Sequence, residues 1–176
     1  MARIKSTPKA RRRLAAVVRI PPPLGVECYL CDIDGKGRGV RARTFIPPGR
    51  TICYYNGFAS ELLRESCYTL EIQGTRALQE GGTVAVRVFL NPCAPGTRTV
   101  DPSFENDIGC RINEISSIPG TGETENCAYV QDRTAQEIVL ANGTRAWPIA
   151  VVSIQGIPPD AELLVYYGED ADRRDY

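Results

Sequence analysis

At 176 residues, with 43% hydrophobic and 24% charged side chains, the chain has the apolar content for one buried core and is too apolar for extended disorder. Its 21 basic and 21 acidic groups cancel, yet seven of the basic ones (Arg3, Lys5, Lys9, Arg11, Arg12, Arg13, Arg19) fall in the first 24 residues, which hold no Asp or Glu. The remainder carries 14 basic against 21 acidic groups, an acidic body suited to basic partners, and it carries no histidine, which excludes Ser-His-Asp and Cys-His catalysis and histidine-ligated zinc sites.

In chain order, residues 1–24 read as a basic flexible tail, closed by the stiff Pro21-Pro22-Pro23 spacer. Its composition fits a solvated arm, a nuclear-import patch or a transit peptide, and it offers the only surface expected to meet nucleic acid. Two of the three lysines in the chain lie here, and Ala2-Arg3-Ile4-Lys5-Ser6-Thr7 resembles the start of a histone tail. The Leu14–Val18 run is too short for a secretory signal core, and no stretch approaches the roughly 18 apolar residues of a membrane span.

Strand patterns follow at 26–33, 39–45 and 51–55, separated by turn chemistry at Asp34-Gly35, Pro47-Pro48-Gly49 and Asn56-Gly57. Gly35-Lys36-Gly37-Arg38-Gly39 allows a close backbone approach, as a hairpin turn or against a ligand; no helix follows it, so neither a dinucleotide site nor a phosphate loop is supported. Residues 59–65 read as a short helix with Leu62 and Leu63 inward, and 68–72 and 83–90 as strands flanking Gly81-Gly82. Two further strands are expected at 137–140 and 148–154, joined by a hairpin at Asn142-Gly143.

The seven cysteines are odd in number and scattered, which suits reduced thiols; Cys28-x-x-Cys31 lacks a second pair, so strand cysteines are expected and no metal site. Residues 107–129 fit neither period, yet contain Asn113, Cys110, Cys127 and Tyr129, and read either as a tight corner or as a functional loop.

Three segments together resemble a SET-domain protein lysine methyltransferase: Gly35–Ala42 with Pro48-Gly49, the Gly109–Asn113 stretch with Asn126-Cys127, and Asp160–Gly168. Tyr55-Asn56-Gly57, Asn126-Cys127-Ala128-Tyr129 and Val165 look most like the histone H3 lysine-4 monomethyltransferases of the Tyr-Asn-Gly type. The resemblance implies a mainly β fold over residues 25–168, with several small sheets, short helices and a C-terminal pseudoknot that brings Asn113 beside Tyr167, leaving 169–176 as a short tail. It implies S-adenosyl-L-methionine as cofactor, held by Lys36, Gly37, Arg38, Asn113 and Glu114. Tyr167 is then the catalytic tyrosine, and Tyr55 and Tyr129 line the lysine channel. The implied activity is mainly monomethylation of a basic, histone-like tail, in the nucleus or else the cytoplasm. The other class of reading is an inactive SET-fold chromatin-binding module.

The chain departs from the family's pattern in three places. Glu114 stands where the family has histidine, which puts cofactor affinity in question. Residues 116–125 are inserted, with Glu123 and Glu125 set to line a basic-peptide groove or to lie on a solvated loop. No cysteine-rich segment flanks the domain, so Tyr176 or a second subunit of a homodimer is left to complete the channel.

Overall fold

The computed structural model describes residues 16–23, 25–62, 68–94, 97–114 and 122–167. Among them the strands in chain order are β1 (Ala16–Val18), β2 (Cys28–Ile33), β3 (Gly37–Ala42), β4 (Thr51–Tyr54), β5 (Gly57–Ser60), β6 (Leu70–Ala77), β7 (Thr83–Asn91), β8 (Asn113–Glu114), β9 (Cys127–Gln131), β10 (Ile138–Val139), β11 (Arg145–Ala146), β12 (Ile149–Ser153) and β13 (Leu164–Val165). The described helical structure is one 3₁₀ turn at Pro102–Phe104, capped by the Asp101 carboxylate, which accepts from the Ser103 amide. The chain divides into two units, one built from 1–19, 56–105 and 133–148, the other from 20–55, 106–132 and 149–176.

The first unit is one antiparallel sheet in the order β1-β5-β7-β6-β11-β10. Its spine is the β6/β7 hairpin, paired from Leu70↔Leu90 to Ala77↔Thr83. Gly81 and Gly82 turn it, with φ of 90° and 85°, values that glycine reaches without a Cβ clash. Ile72, Val88 and Leu90 are buried, and Phe104 is fully buried edge-on to Phe58 at 5.3 Å between ring centroids.

Three expectations are corrected here. Ala16–Val18, read as part of the tail, is an edge strand: the β-branched pair Val17-Val18 takes extended pairing with β5, and Val18 is buried. Residues 59 and 60, read as the start of a helix, lie in β5, where ladders to β1 and β7 engage the backbone on both sides. Leu62 is exposed rather than inward, and 63–65 lie outside the described residues. Asn142-Gly143 does turn a hairpin, but between β10 and β11; β12 belongs to the other unit.

The second unit holds the β2/β3 hairpin, the three-stranded sheet β4-β12-β9, and the parallel pair β8/β13. Their apolar faces meet in a core of Val40, Ala42, Ile46, Ile52, Cys53, Ile112, Cys127, Val151, Ile157, Leu163 and Val165. β2 and β3 turn at Asp34-Gly35, where the Lys36 amide donates to the Ile33 carbonyl at 3.0 Å and Gly35 sits at φ 74°. The C-terminal segment is tied to β3 by the Leu163 amide donating to the Val40 carbonyl at 2.8 Å and by the Arg41↔Glu162 bridge.

The parallel β8/β13 pair decides the topology. Leu164 lies opposite Asn113 and Val165 opposite Glu114. On the other side of the same strand, Asn126 donates its backbone amide to the Leu164 carbonyl (3.1 Å), its Nδ2 to the Glu162 carbonyl (2.8 Å), and accepts from the Leu164 amide at Oδ1 (2.9 Å). The C-terminal strand thus lies between Asn113-Glu114 on one side and Asn126 on the other, the arrangement expected of the pseudoknot that the resemblance implied.

Candidate active site

The three tyrosines singled out in the sequence converge within the second unit. Tyr55 follows β4, with its amide donating to the Ile149 carbonyl at 2.9 Å, and its side chain is buried. Tyr129 enters from β9 and Tyr167 from the end of the segment after β13. The Tyr55 and Tyr129 rings meet edge to face at 5.8 Å and 86°, and the Tyr129 and Tyr167 rings lie 6.4 Å apart at 24°. The second unit is thus folded so that Tyr55 and Tyr129, 74 positions apart in sequence, and Tyr129 and Tyr167, 38 apart, share one aromatic cluster.

Backbone carbonyls orient two of the phenols. The Tyr167 hydroxyl donates to the Ile112 carbonyl at 2.5 Å, and the Tyr129 hydroxyl points to the Gly109 carbonyl at 3.4 Å. A phenol whose proton is committed to a carbonyl keeps lone pairs to accept another hydrogen bond. Burial pushes the Tyr129 hydroxyl well above the usual tyrosine range, with the neighbouring Tyr167 adding to the shift, so Tyr129 is neutral at ordinary pH. Gly109 itself is sterically required: a Cβ there would lie 2.3 Å from the Tyr54 carbonyl oxygen and 3.2 Å from the Tyr55 Cα.

A polar cluster lies along β3, β8 and the C-terminal segment. Asn113 Nδ2 donates to Glu162 Oε1 at 2.9 Å, and the other Glu162 oxygen is 3.6 Å from Lys36 Nζ. Lys36 also reaches both carboxylate oxygens of Glu123 at 2.7 Å. Gly39 makes this closeness possible, because a Cβ there would sit 2.7 Å from Asn113 Nδ2 and 3.2 Å from Glu162 Oε1. Gly37 and Arg38 lie in β3, exposed, with Arg38 opposite Asp32 in the ladder.

Glu114 is half-buried, and its carboxylate accepts from the Tyr167 amide at 3.3 Å. A carboxylate at this position is therefore given a donor by the strand next to it, which offsets part of its desolvation. Glu123, expected either in a groove or on a solvated loop, is instead half-buried in the pair with Lys36. Glu125 is exposed, while 116–121 and Tyr176 lie outside the described residues. Glu162 and Asn126 escaped the sequence-level assignment of site residues. Both are polar positions beside an apolar run or a cysteine, and only the pseudoknot shows what their side chains hold.

An ammonium at Lys36, a carboxylate at Glu162 and the Asn113 amide stand within one cluster, a donor set complementary to a zwitterion. The Lys36 amide is already committed to Ile33, so its side chain and carbonyl are what it can offer a ligand. No group of three or more His, Cys, Asp or Glu side chains among the described residues is arranged to hold a metal ion.

No protein-family model matches the chain, and no curated protein matches it by sequence. Similar solved structures are the methyltransferase domain of human PR domain-containing protein 2, with 18% identity over 84% of this chain and 81% of that one and a TM-score of 0.49, and the methyltransferase domain of the human histone-lysine N-methyltransferase SETMAR. The latter is 20% identical, with a TM-score of 0.50, and the match covers 84% of this chain and 46% of that one. At such identities the likeness is one of fold. Mainly β, with several small sheets and a C-terminal strand passed beside Asn113, the chain has the SET-domain fold.

Proposed function

We propose that the chain is an S-adenosylmethionine-dependent protein-lysine N-methyltransferase that mainly monomethylates a basic, histone-like tail. The observation that carries this reading is the convergence of Tyr55, Tyr129 and Tyr167 beside the β8/β13 pair on a SET-domain fold.

When bound, S-adenosylmethionine supplies an electrophilic methyl group on a sulfonium, and transfer to a lysine amine makes an N–C bond as the C–S bond breaks. The protein has then to bring two reactants into line and keep water out. A lysine at pH 7 must first lose a proton, at a cost of about 4 to 5 kcal/mol from its usual pKa near 10.4. Burial among tyrosine rings, next to a positive sulfonium, disfavours the ammonium and lowers that cost. Tyr129 and Tyr167 contribute oriented lone pairs rather than basicity, since their protons are directed to the Gly109 and Ile112 carbonyls. Tyr55 packs edge-on to Tyr129 and narrows the space left for an amine. A second methyl group needs room to rotate, which two hydroxyl-bearing tyrosines would deny.

The acidic body, 14 basic against 21 acidic groups beyond residue 24, supports a basic substrate, and that substrate chemistry supports a nuclear site of action. Calorimetric titration with S-adenosylmethionine, followed by transfer of a labelled methyl group to lysine-containing histone-tail peptides, tests the reading. Binding together with label on lysine is the expected result; absence of binding at millimolar cofactor would exclude it. One observation favours a second reading, a SET-fold chromatin-binding module without activity: Glu114 occupies the position where the family's pattern has histidine. Peptide binding without cofactor binding would establish that alternative.

A further inference from the structure

Lys36 is held by two carboxylates that differ in how firmly the fold fixes them. Glu162 lies next to β13, accepts from Asn113 with the oxygen turned away from Lys36, and has its backbone carbonyl bonded to Asn126. Moving it would disturb the pseudoknot. Glu123 lies outside any strand, four residues before β9, and follows Gly122, whose φ of 66° is open to glycine. Yet Glu123 makes the shorter contact, 2.7 Å from both oxygens against 3.6 Å for Glu162. The side chains of Lys36 and Glu123 are 20% and 27% exposed, so the pair is screened less than a fully solvated one.

We propose that Glu123 is an internal competitor for the carboxylate of the cofactor's amino-acid end, and that cofactor enters by exchanging one carboxylate for another on Lys36. This rests on the cofactor reading above. Glu123 presents Lys36 with the same group, in the same charge state, that a zwitterionic ligand would bring. With Glu123 in place the cluster of Lys36, Glu123 and Glu162 carries one net negative charge, and an arriving carboxylate meets two like charges around a single ammonium. Once Glu123 has left, the incoming carboxylate takes the place it held against Lys36. The fold thus holds its cofactor site in a self-paired state, and apparent affinity is reduced by the fraction of time the pair is open. Anything that draws Glu123 away, including a basic segment of a bound substrate, would raise cofactor affinity.

Calorimetric titration of wild type, Glu123→Gln, Glu123→Ser, Lys36→Gln and the Lys36→Gln/Glu123→Gln double variant tests this. The ligands are S-adenosylmethionine and 5′-methylthioadenosine, which lacks the amino-acid end. Both Glu123 variants are expected to bind S-adenosylmethionine about fivefold tighter than wild type and methylthioadenosine unchanged within about twofold. The Glu123 effect should vanish in the Lys36→Gln background. Wild type binding S-adenosylmethionine with Glu123→Gln and Glu123→Ser binding it no tighter overturns the competition and leaves the cofactor reading standing. Equal tightening of both ligands also overturns it. If none of the five proteins binds S-adenosylmethionine although all melt cooperatively, the cofactor reading fails and the competition with it.

Discussion

Gly109→Ala isolates how tightly the aromatic cluster is bound to its backbone. The added Cβ would lie 2.3 Å from the Tyr54 carbonyl oxygen, 3.0 Å from the Tyr54 carbonyl carbon and 3.2 Å from the Tyr55 Cα. All three are main-chain atoms, so no side-chain rotation relieves the contact. Ordinary separations are about 3.5 Å, and the two backbones would have to part by about 1 Å. Tyr54 is paired to Ala150 and the Tyr55 amide to the Ile149 carbonyl, so the strain is opposed by the β4/β12 ladder. Overpacking of this kind costs about 2–3 kcal/mol, or a fall of roughly 4–12 °C in Tm for a chain of this size. Gly156→Ala is the matched control: its Cβ would approach Phe45 at 3.1 Å, but that ring is 59% exposed and can swing aside. Calorimetric melts of both variants and wild type decide the matter. A Gly109→Ala protein melting within about 2 °C of Gly156→Ala would refute the steric argument, and with it the placement of Gly109 against β4.

Asn126→Ala removes two side-chain hydrogen bonds to the C-terminal segment, to the Glu162 carbonyl and the Leu164 amide. Leaving those backbone groups without their partner should cost about 2–4 kcal/mol, read as a lower denaturant midpoint, whereas an unchanged midpoint would argue that Asn126 does not brace the strand. Burial pushes the Cys28 thiol up to about 11 and the Cys127 thiol up to about 12 from 9.0. Both shifts have one sign: unfolded thiols ionise near pH 9 while the folded ones keep their protons, so this stability is present below pH 9 and is lost as pH rises towards 11 to 12. Tm should fall in that window less steeply for Cys28→Ala than for wild type; parallel slopes would count against the burial argument. Tyr129→Phe removes the hydroxyl directed at Gly109 and should move the product on a lysine peptide from mainly monomethyl to a comparable or larger dimethyl share by mass spectrometry. An unchanged product ratio would show that this hydroxyl does not limit the channel.

Local chemistry made much of the fold legible. Asp34-Gly35 turns β2 into β3, Gly81-Gly82 turns β6 into β7, and the alternating run 83–90 is β7 almost to the residue. Local pattern misleads where strand pairing outranks it. Leu62-Leu63 gives residues 59–65 a helical look, but Ala59 is claimed by β1 and β7 and Ser60 by β7. Ala16–Val18 sat among basic residues and was masked by composition, although Val17-Val18 is a β-branched pair ready for an edge. Asn142-Gly143 was a sound turn signal with the wrong second strand, since nothing local distinguishes β11 from β12 as the partner of β10.

The candidate site divides in the same way. Residue types alone settle that any chemistry here proceeds without histidine, and the motifs name Tyr55, Tyr129, Tyr167, Asn113 and Lys36 as its material. Sequence alone could not say which carboxylates surround Lys36, because Glu123 and Glu162 are 87 and 126 positions away and no local pattern couples them. Nor could it say what becomes of Glu114, whose partner is the main-chain amide of Tyr167 across the parallel pair. Turns and strands follow from forces acting within a few residues, where backbone preference and side-chain pattern suffice. The pseudoknot and its ion pairs depend on segments meeting across much of the chain, and those meetings are decided only when the shared core of Ile112, Leu163 and Val165 closes.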